Sequence, residues 1–181
     1  MRIISGKARG LKLQSLDGPD TRPTLDNVKE AIFSMLFDKC PDARVLDLFA
    51  GSGAMGIEAL SRGAEYAVFA DSNPKACAVV KANLDKARFT NDAKVFTVDA
   101  ESFLKKLSTG NEKFDIIFLD PPYALGLMDK VIELISEYDL LAENGVIVCE
   151  YDNGTDVDIK GYVPVKNKRY GRVCVTILSA E

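Results

Sequence analysis

The sequence of 181 residues contains no histidine and no tryptophan, and its four cysteines form no C-x-x-C pair. Without histidine, the Ser-His and Cys-His pairs of nucleophilic catalysis are excluded. The ligands that zinc prefers do not cluster, so we expect no metal site. Free thiols in a reducing compartment are the expected state of the cysteines, which are Cys40, Cys77, Cys149 and Cys174.

Long apolar runs are also missing. No stretch reaches the length of a membrane-spanning helix, and residues 1–10 lack the apolar segment of a signal peptide. We therefore expect a cytoplasmic protein without membrane contact. The chain shows no repeat or linker, and its 47% hydrophobic content suffices for one sizeable core. Nothing in the sequence demands a dimer, so a monomer is expected.

Positive charge is concentrated near the two ends of the chain. The net charge is −4, but residues 1–16 and 159–173 contain nine of the 23 basic residues and no acidic ones. Basic patches on an acidic body indicate local contacts with nucleic-acid phosphates, with solvated strand faces as the alternative. The candidate contact residues are Arg2, Lys7, Arg9, Lys12, Lys168 and Arg169.

Apolar runs and helical patterns alternate along most of the chain, which predicts an α/β fold with a parallel sheet and right-handed crossovers. Two final strands without a helix between them, at 162–169 and 172–179, predict an antiparallel edge. The other strands are predicted at 44–49, 66–70, 94–98, 114–119 and 146–151. The helices between them are predicted at 54–61, 74–87, 101–107 and 126–137.

The first 41 residues are predicted to extend this domain. Residues 1–16 alternate loosely and predict a short hairpin or arm. A helix with an apolar stripe from Val28 to Leu36 follows a cap at Thr24 or Asp26. We therefore expect an N-terminal extension at 1–41 and the main domain at 42–181.

A glycine loop follows the strand at 44–49. The pattern Gly51-x-Gly53-x-x-Gly56 lets the backbone approach a ligand closely, and the helix start behind it favours polar groups. Asp71 ends the next strand, where a carboxylate can accept ribose hydroxyls, and Asp99 ends the third, where it can accept from an adenine amino group. Helix capping is the alternative for both aspartates. The pattern indicates a nucleotide-like cofactor.

Asp47 lies inside the buried strand ahead of this loop, and a buried carboxylate requires a partner. It either accepts backbone N–H groups of the loop or meets an ammonium group of the cofactor. A nicotinamide dinucleotide needs no acid before the first glycine. S-adenosylmethionine carries an amino-acid end and a sulfonium, so the acidic site favours S-adenosylmethionine.

The segment Asp120-Pro121-Pro122-Tyr123 follows the strand at 114–119 and leaves the sheet at the same edge as the glycine loop. An exocyclic amine on a base is a poor nucleophile, because its lone pair is delocalised into the ring. Asp120 and the Pro121 carbonyl can accept its two N–H bonds, and Tyr123 can stack on the base. The pattern favours methyl transfer to a base nitrogen over a turn that merely ends a strand.

These segments, together with residues 1–13, 21–24 and 28–33, resemble the RsmD family of bacterial methyltransferases, which act on a guanine N2 in small-subunit ribosomal RNA. The resemblance extends over essentially the whole chain. It implies a Rossmann-like fold whose seven-stranded, mostly parallel sheet has an antiparallel last strand. It also implies S-adenosylmethionine as the methyl donor and 16S rRNA within a small-subunit assembly intermediate as the partner.

The resemblance implies roles for individual residues. Catalysis falls on Asp120, Pro121, Pro122 and Tyr123. Arg22 is expected beside the RNA and Thr24 beside the cofactor. The other cofactor-binding residues are Asp47, Phe49, Ala50, Gly51, Ser52, Gly53, Asp71, Ser72, Asp99 and Ala100.

Three alternatives stay open at this point. The amine could be adenine N6 in DNA or a glutamine amide in a protein, although the chain has no room for a large target-recognition domain. A dinucleotide-dependent oxidoreductase would use the glycine loop and Asp71, but would leave the Asp120–Tyr123 segment unexplained. A catalytically silent RNA-binding module is disfavoured by the intact Asp120 and Tyr123.

Overall fold

The computed structural model describes residues 1–16, 26–122 and 126–180. Helices and strands alternate along these ranges. The helices are α1 (Asp26–Leu36), α2 (Ala54–Ser61), α3 (Pro74–Ala87), α4 (Ala100–Leu107) and α5 (Leu127–Glu137). The strands are β1 (Arg44–Asp47), β2 (Tyr66–Asp71), β3 (Ala93–Thr97), β4 (Phe114–Leu119), β5 (Leu141–Asp152), β6 (Tyr162–Tyr170) and β7 (Val173–Ala180). Within the described ranges, none of the helices has the length and apolar character needed to cross a membrane.

The seven strands form one sheet in the order β3-β2-β1-β4-β5-β7-β6. β1 pairs in parallel with both β2 and β4, whereas β7 runs antiparallel to β5 and β6. The predicted α/β fold with an antiparallel last strand is therefore confirmed. Because the strand order reverses between β1 and β4, a crevice opens outside their carboxyl ends.

Helices cover both faces of the sheet, so the central strands are apolar on both sides. Val45 and Ile116 face the layer of α1, α2 and α3, and the adjacent Leu46 and Ile117 face α4 and α5. All four side chains are fully buried. This two-sided burial explains the apolar runs of β1 and β4.

The predicted antiparallel edge is confirmed, because β6 and β7 pair antiparallel at one side of the sheet. β7 lies between β5 and β6, so β6 is the edge strand. Asn144 and Gly145 lie within β5, where Asn144 adopts φ 63° and the pairing with β4 shifts register. Pro164 in β6 has no N–H to donate and suits an edge position, while the apolar β7 suits the interior.

The first sixteen residues form a hairpin-like arm, as predicted. Arg2 and Lys12 form an antiparallel bridge, and the Ile3 N–H donates to the Leu11 carbonyl at 2.9 Å. The side chains of Ile3 and Leu13 enter the same hydrophobic core as α1 and the sheet. The division at residue 41 stays a prediction, since the arm shares this core.

A buried charged group fastens the arm to α2. The Glu58 carboxylate accepts hydrogen bonds from the Ile4 N–H at 2.8 Å and the Ser5 N–H at 3.0 Å. It also forms ion pairs with Lys29 at 3.2 Å and Arg62 at 2.8 Å. The side chains of Glu58 and Lys29 are both fully buried. Burial lowers the pKa of Lys29, and the neighbouring Glu58 opposes that shift. Arm, α1 and α2 therefore meet at one carboxylate.

Candidate active site

A cleft of about 840 Å³ opens at the carboxyl ends of the central strands. Its volume lies within the range of small-molecule and cofactor sites. It lies where the strand order reverses, as the sequence predicted for the two loops. The predicted site residues that line it are Asp47, Phe49, Ala50, Gly51, Ser52, Asp71, Ser72, Asp99, Ala100, Asp120, Pro121 and Pro122.

Some predicted site residues are not among those that line the cleft. Gly53 does not line the cleft, because it lies behind the loop as the residue that precedes α2. Arg22, Thr24 and Tyr123 lie outside the described residues, so their assigned roles stay predictions.

The glycine loop depends on the small size of its residues. Gly51 and Gly53 adopt φ 54° and 78°, in the left-handed region that glycine reaches without strain. A Cβ atom at Gly56 would lie 2.3 Å from the Phe69 ring on β2. Gly56 therefore lets α2 pack closely against the sheet, and the cleft wall is formed by the loop backbone.

Asp71 organises this loop. Its carboxylate accepts from the Gly51 N–H at 2.9 Å and from the Asn73 N–H at 2.8 Å. Asn73 is the residue that caps α3, since its side chain accepts from the Lys75 N–H at 2.9 Å. The capping alternative for Asp71 is therefore wrong. Each carboxylate oxygen has two acceptor positions, so Asp71 keeps capacity for ligand hydroxyls.

Asp99 follows the capping alternative. Its carboxylate accepts from the Ser102 N–H at 2.9 Å at the start of α4. That hydrogen bond holds the pKa of Asp99 below its ordinary value. Asp99 also lines the cleft beside Ala100, so capping leaves its predicted contact with an adenine group as a prediction.

Asp47 is 4% exposed and lies at the base of the cleft. Its carboxylate accepts from the Gly56 N–H at 3.0 Å. This is one of the two contacts expected from the sequence, the other being an ammonium group of the cofactor. Burial raises the pKa of Asp47 to about 7, and the charges of Asp120 and Asp71 raise it further, while the Gly56 N–H lowers it. Asp47 is therefore partly protonated near neutral pH unless a cation joins it.

Asp120, Pro121 and Pro122 face the glycine loop across the cleft, directly after β4. Asp47 of β1 pairs with Phe118 of β4, two residues before Asp120, so the two loops leave adjacent strands at the same level. The geometry places an acceptor carboxylate beside a cofactor-sized space.

Sequence reasoning missed Glu150. This residue also lines the cleft, and it follows the apolar run 146–149 in β5. Leu119 of β4 pairs with Cys149 of β5, so Asp120 and Glu150 are the next residues on neighbouring strands. The strand-end argument that identified Asp120 did not identify Glu150, because Glu150 lies inside the predicted strand 146–151; the signal in the sequence is the end of the apolar run at Cys149. The other missed lining residues include Met1, Ser15, Leu16, Ile32, Phe118 and Val148.

The predicted nucleic-acid contacts lie on the surface outside the cleft. Arg2, Lys7, Arg9 and Lys12 are exposed on the arm, and Arg2 pairs with Asp26 at 3.3 Å. Lys168 and Arg169 are exposed on the edge strand β6. The structure therefore gathers these residues into two basic surfaces that do not line the cleft.

No group of three or more histidine, cysteine, aspartate or glutamate residues in the described ranges is arranged to hold a metal ion. The described residues that line the site are carboxylates, serine and asparagine side chains, apolar side chains and the backbone of the glycine loop.

The chain is similar to a known protein family and to individual proteins over nearly its whole length. Residues 1–179 match the family described as Conserved hypothetical protein 95. The YlbH protein of Bacillus subtilis is 42% identical over 98% of this chain and 97% of its own length. Ribosomal RNA small subunit methyltransferase D of Escherichia coli is 36% identical over 100% of this chain and 90% of its own length.

Solved structures agree with these similarities. The yhhF protein of Escherichia coli superposes with a TM-score of 0.86 and 33% identity, covering 100% of this chain and 98% of that one. An RNA methyltransferase from Salinibacter ruber in complex with S-adenosyl-L-homocysteine has a TM-score of 0.66, covering 88% of this chain and 95% of that one. Its identity is 16%, so it shows a shared fold alone.

Proposed function

Because this chain belongs to the Conserved hypothetical protein 95 family, the RsmD family, we propose that it transfers a methyl group from S-adenosylmethionine to the N2 of a guanine in 16S rRNA. The main support for the proposal is that the glycine loop and the Asp120-Pro121-Pro122 segment line the same cleft. The relative named ribosomal RNA small subunit methyltransferase D supports the substrate class. The fold shared with a methyltransferase bound to S-adenosyl-L-homocysteine supports the cofactor class.

The residues of the cleft fit S-adenosylmethionine. Asp71 offers acceptor capacity for ribose hydroxyls, and Asp99 and Ala100 line the region assigned to adenine. Asp47 offers a buried carboxylate to the cationic amino-acid end, and that contact would favour its ionised form. When bound, S-adenosylmethionine supplies an electrophilic methyl group. The protein supplies orientation, which accounts for much of the rate when reacting atoms are aligned.

Asp120 is the proposed catalytic residue. Its carboxylate accepts an N–H bond of the guanine amine and so favours a nitrogen lone pair that points toward the methyl group. The proton that leaves the amine after transfer passes to Asp120 or to water. A strong general base is not required, which agrees with a sequence that has no histidine.

Glu150 supports guanine as the base. The Watson–Crick edge of guanine carries the N1–H donor beside the N2 amine. Asp120 directly follows β4 and Glu150 is the neighbouring residue within β5, so the cleft presents two carboxylates side by side, one for each of these groups. Adenine has an acceptor nitrogen at N1, which a carboxylate repels. This pattern favours guanine N2 over adenine N6.

The two basic surfaces are the proposed RNA contacts. Lys168 pairs with Val175, which in turn pairs with Glu150, so Lys168 lies level with the cleft residue about 10 Å away across two strand spacings. Lys166 donates from Nζ to the Met35 carbonyl at 2.5 Å and joins β6 to the end of α1. Phe37 follows there with 80% exposure, which suits stacking with an unpaired base.

The proposal places the reaction in the cytoplasm, on 16S rRNA within a small-subunit assembly intermediate, with the enzyme acting as a monomer. Its test is methyl transfer from labelled S-adenosylmethionine to small ribosomal subunits taken from cells that lack this protein, followed by nucleoside analysis. Naked rRNA, genomic DNA and total protein serve as parallel substrates. We expect label in N2-methylguanosine of 16S rRNA. Label in N6-methyladenosine, in protein or in no substrate would contradict the proposal.

A further inference from the structure

The side-chain amide of Asn83 connects the N-terminal arm to the glycine loop. Asn83 lies on α3 and is fully buried. Its Oδ1 accepts from the Gln14 N–H at 2.8 Å, and its Nδ2 donates to the Gln14 carbonyl at 2.9 Å and to the Ser52 carbonyl at 2.9 Å. Both N–H groups and the oxygen are therefore used.

One partner of Asn83 lines the cleft, and the other directly precedes two residues that line it. Ser52 lines the cleft as part of the glycine loop, and Ser15 and Leu16 line it directly after Gln14. One buried amide therefore sets the distance between the arm wall and the loop wall. A buried amide without these bonds would be costly, so the three contacts form or break together.

Other contacts hold the arm without reaching the loop. Glu58 accepts from Ile4 and Ser5 on the α2 side, and the Lys86 Nζ donates to the Lys12 carbonyl at 2.7 Å on the α3 side. The hydrogen bonds named above all lie between described residues. Among them, only those of Asn83 join the arm to the glycine loop. Lys86 offers a matched comparison, because it contacts the same arm from the same helix.

We propose that Asn83 is a positioning residue that couples the N-terminal arm to the cofactor loop, so that RNA held by the arm and cofactor held by the loop bind cooperatively. The inference rests on the proposed function. Coupling between two ligands is reciprocal, so RNA on the arm tightens cofactor binding by the factor by which the cofactor tightens RNA binding. The Asn83 amide transmits this effect because movement of Gln14 displaces the Ser52 carbonyl.

The first test measures the affinity of the full chain for S-adenosylhomocysteine by calorimetry, with and without small ribosomal subunits. Asn83→Leu has a similar volume and loses all three bonds, and Asn83→Asp places a carboxylate against two carbonyl oxygens. We expect the Kd to rise about tenfold in both variants, a factor that corresponds to about 1.4 kcal/mol. We also expect that small ribosomal subunits no longer lower the Kd for S-adenosylhomocysteine in these variants. Lys86→Met is the control and should keep both the wild-type Kd and its decrease on addition of subunits.

An unchanged Kd in folded Asn83→Leu, or an equal loss in Lys86→Met, would overturn the inference. A wild-type protein that does not bind S-adenosylhomocysteine would instead overturn the proposed function, and the inference with it. If wild type binds S-adenosylhomocysteine and the Asn83 variants bind it equally tightly, the proposed function stands and the inference fails.

The second test needs no variant and decides the matter if Asn83→Leu does not fold. Hydrogen exchange of the wild-type amides is followed with and without saturating S-adenosylhomocysteine. The Gln14 N–H, which donates to Asn83, should exchange several-fold more slowly in the complex. The Ala8 N–H, which donates to Ser61 at 3.0 Å, is the internal control and should change little. Equal exchange at Gln14 in both states would overturn the inference.

Discussion

Carboxylates with different partners define the cleft at the scale of single residues. Asp71 holds the loop backbone, Asp99 caps α4, and Asp47 is buried against Gly56. Asp120 and Glu150 face the same space from neighbouring strands. The partners determine the chemistry, because a carboxylate occupied by backbone N–H groups positions the loop, while one directed at the substrate can accept its protons.

Asp120→Ala should separate catalysis from cofactor binding. Without the acceptor, the amine is no longer oriented, and we expect kcat to fall by about 100-fold or more, by analogy with loss of one positioned transition-state contact. The affinity for S-adenosylhomocysteine should change by less than about twofold. Glu65→Ala, at an exposed position before β2, is the control. Equal loss of both properties in Asp120→Ala would refute its catalytic role.

Glu150→Gln tests the proposed preference for guanine. The change keeps the size of the side chain but removes the charge that strengthens a hydrogen bond from N1–H. We expect kcat/KM for the RNA to fall about tenfold, with unchanged affinity for S-adenosylhomocysteine. Steady-state kinetics and calorimetry measure the two quantities. A variant as active as wild type would exclude Glu150 from base recognition.

Asp47 predicts a pH dependence of stability. Because burial raises its folded pKa to about 7, above the unfolded value of about 3.9, the folded protein retains a proton that the unfolded chain releases. The stability contributed by this proton is present below about pH 4 and is lost as the pH rises through 7. Asp47→Asn does not titrate. Between pH 5 and pH 8, wild type should therefore lose about 3 kcal/mol in the free energy of unfolding relative to this variant.

Denaturant unfolding at several pH values measures this difference. Asp99→Asn is the control. The pKa of Asp99 is lowered in the folded protein, so Asp99 is ionised in both the folded and the unfolded protein across that pH range. Parallel stability curves for wild type and Asp47→Asn would show that Asp47 keeps an ordinary pKa.

Contacts between elements, rather than local sequence, place the arm. Glu58 on α2 binds the backbone of Ile4 and Ser5 and pairs with Lys29 of α1. Ser61 on the same helix donates to the Ser5 carbonyl at 2.6 Å and accepts from the Ala8 N–H at 3.0 Å. The helix that follows the glycine loop therefore also carries the arm, so the position of the arm depends on the elements that form the cleft.

Glu58→Gln should destabilise the whole protein. The change leaves the buried Lys29 without its counter-charge, and removal of one partner of a buried pair costs about 3–5 kcal/mol. Glu133 is the matched control, since its ion pairs with Lys130 and Lys160 are exposed. Glu133→Gln should leave the free energy of unfolding unchanged within error, as measured by denaturant titration. Equal effects of the two substitutions would show that the Glu58 network contributes little.

Charge is segregated across the whole molecule. Nine basic residues lie near the chain ends, while the chain carries a net charge of −4. In the fold, the arm lies beside α2, and Lys168 and Arg169 lie on β6 at the far edge of the sheet. An RNA that contacts both surfaces would span the cleft between them.

Reversal of charge on the arm should weaken RNA binding. Lys7→Glu with Arg9→Glu removes two phosphate contacts, so the slope of log affinity against log salt should become shallower by about 1.4–1.8. The KM for the RNA substrate should rise. Lys105→Glu with Lys106→Glu, on the opposite layer at α4, makes the same change in net charge and is the control. An unchanged KM in the arm variant would exclude the arm as a contact.

The helices and strands followed from the sequence because their signals are local. The apolar runs of β1 and β4, the proline that begins α3 and the glycines before α2 depend on neighbours within a few residues. The two loops of the cleft followed in the same way, since the carboxyl ends of parallel strands meet at one edge. Glu150 did not follow in this way, because it lies within β5 and reaches the cleft only where the pairing with β4 ends at Cys149.

The fold class, the family resemblance and the two cleft loops followed from the order of the residues, because each depends on local patterns and on residue types. Three features required the folded protein: β7 lies inside the sheet, Glu58 holds the arm, and Asn83 joins the arm to the glycine loop. Asn83 and Gln14 are 69 positions apart in the chain. No periodicity specifies such a contact, because it exists only when the sheet and helices bring the two backbones together.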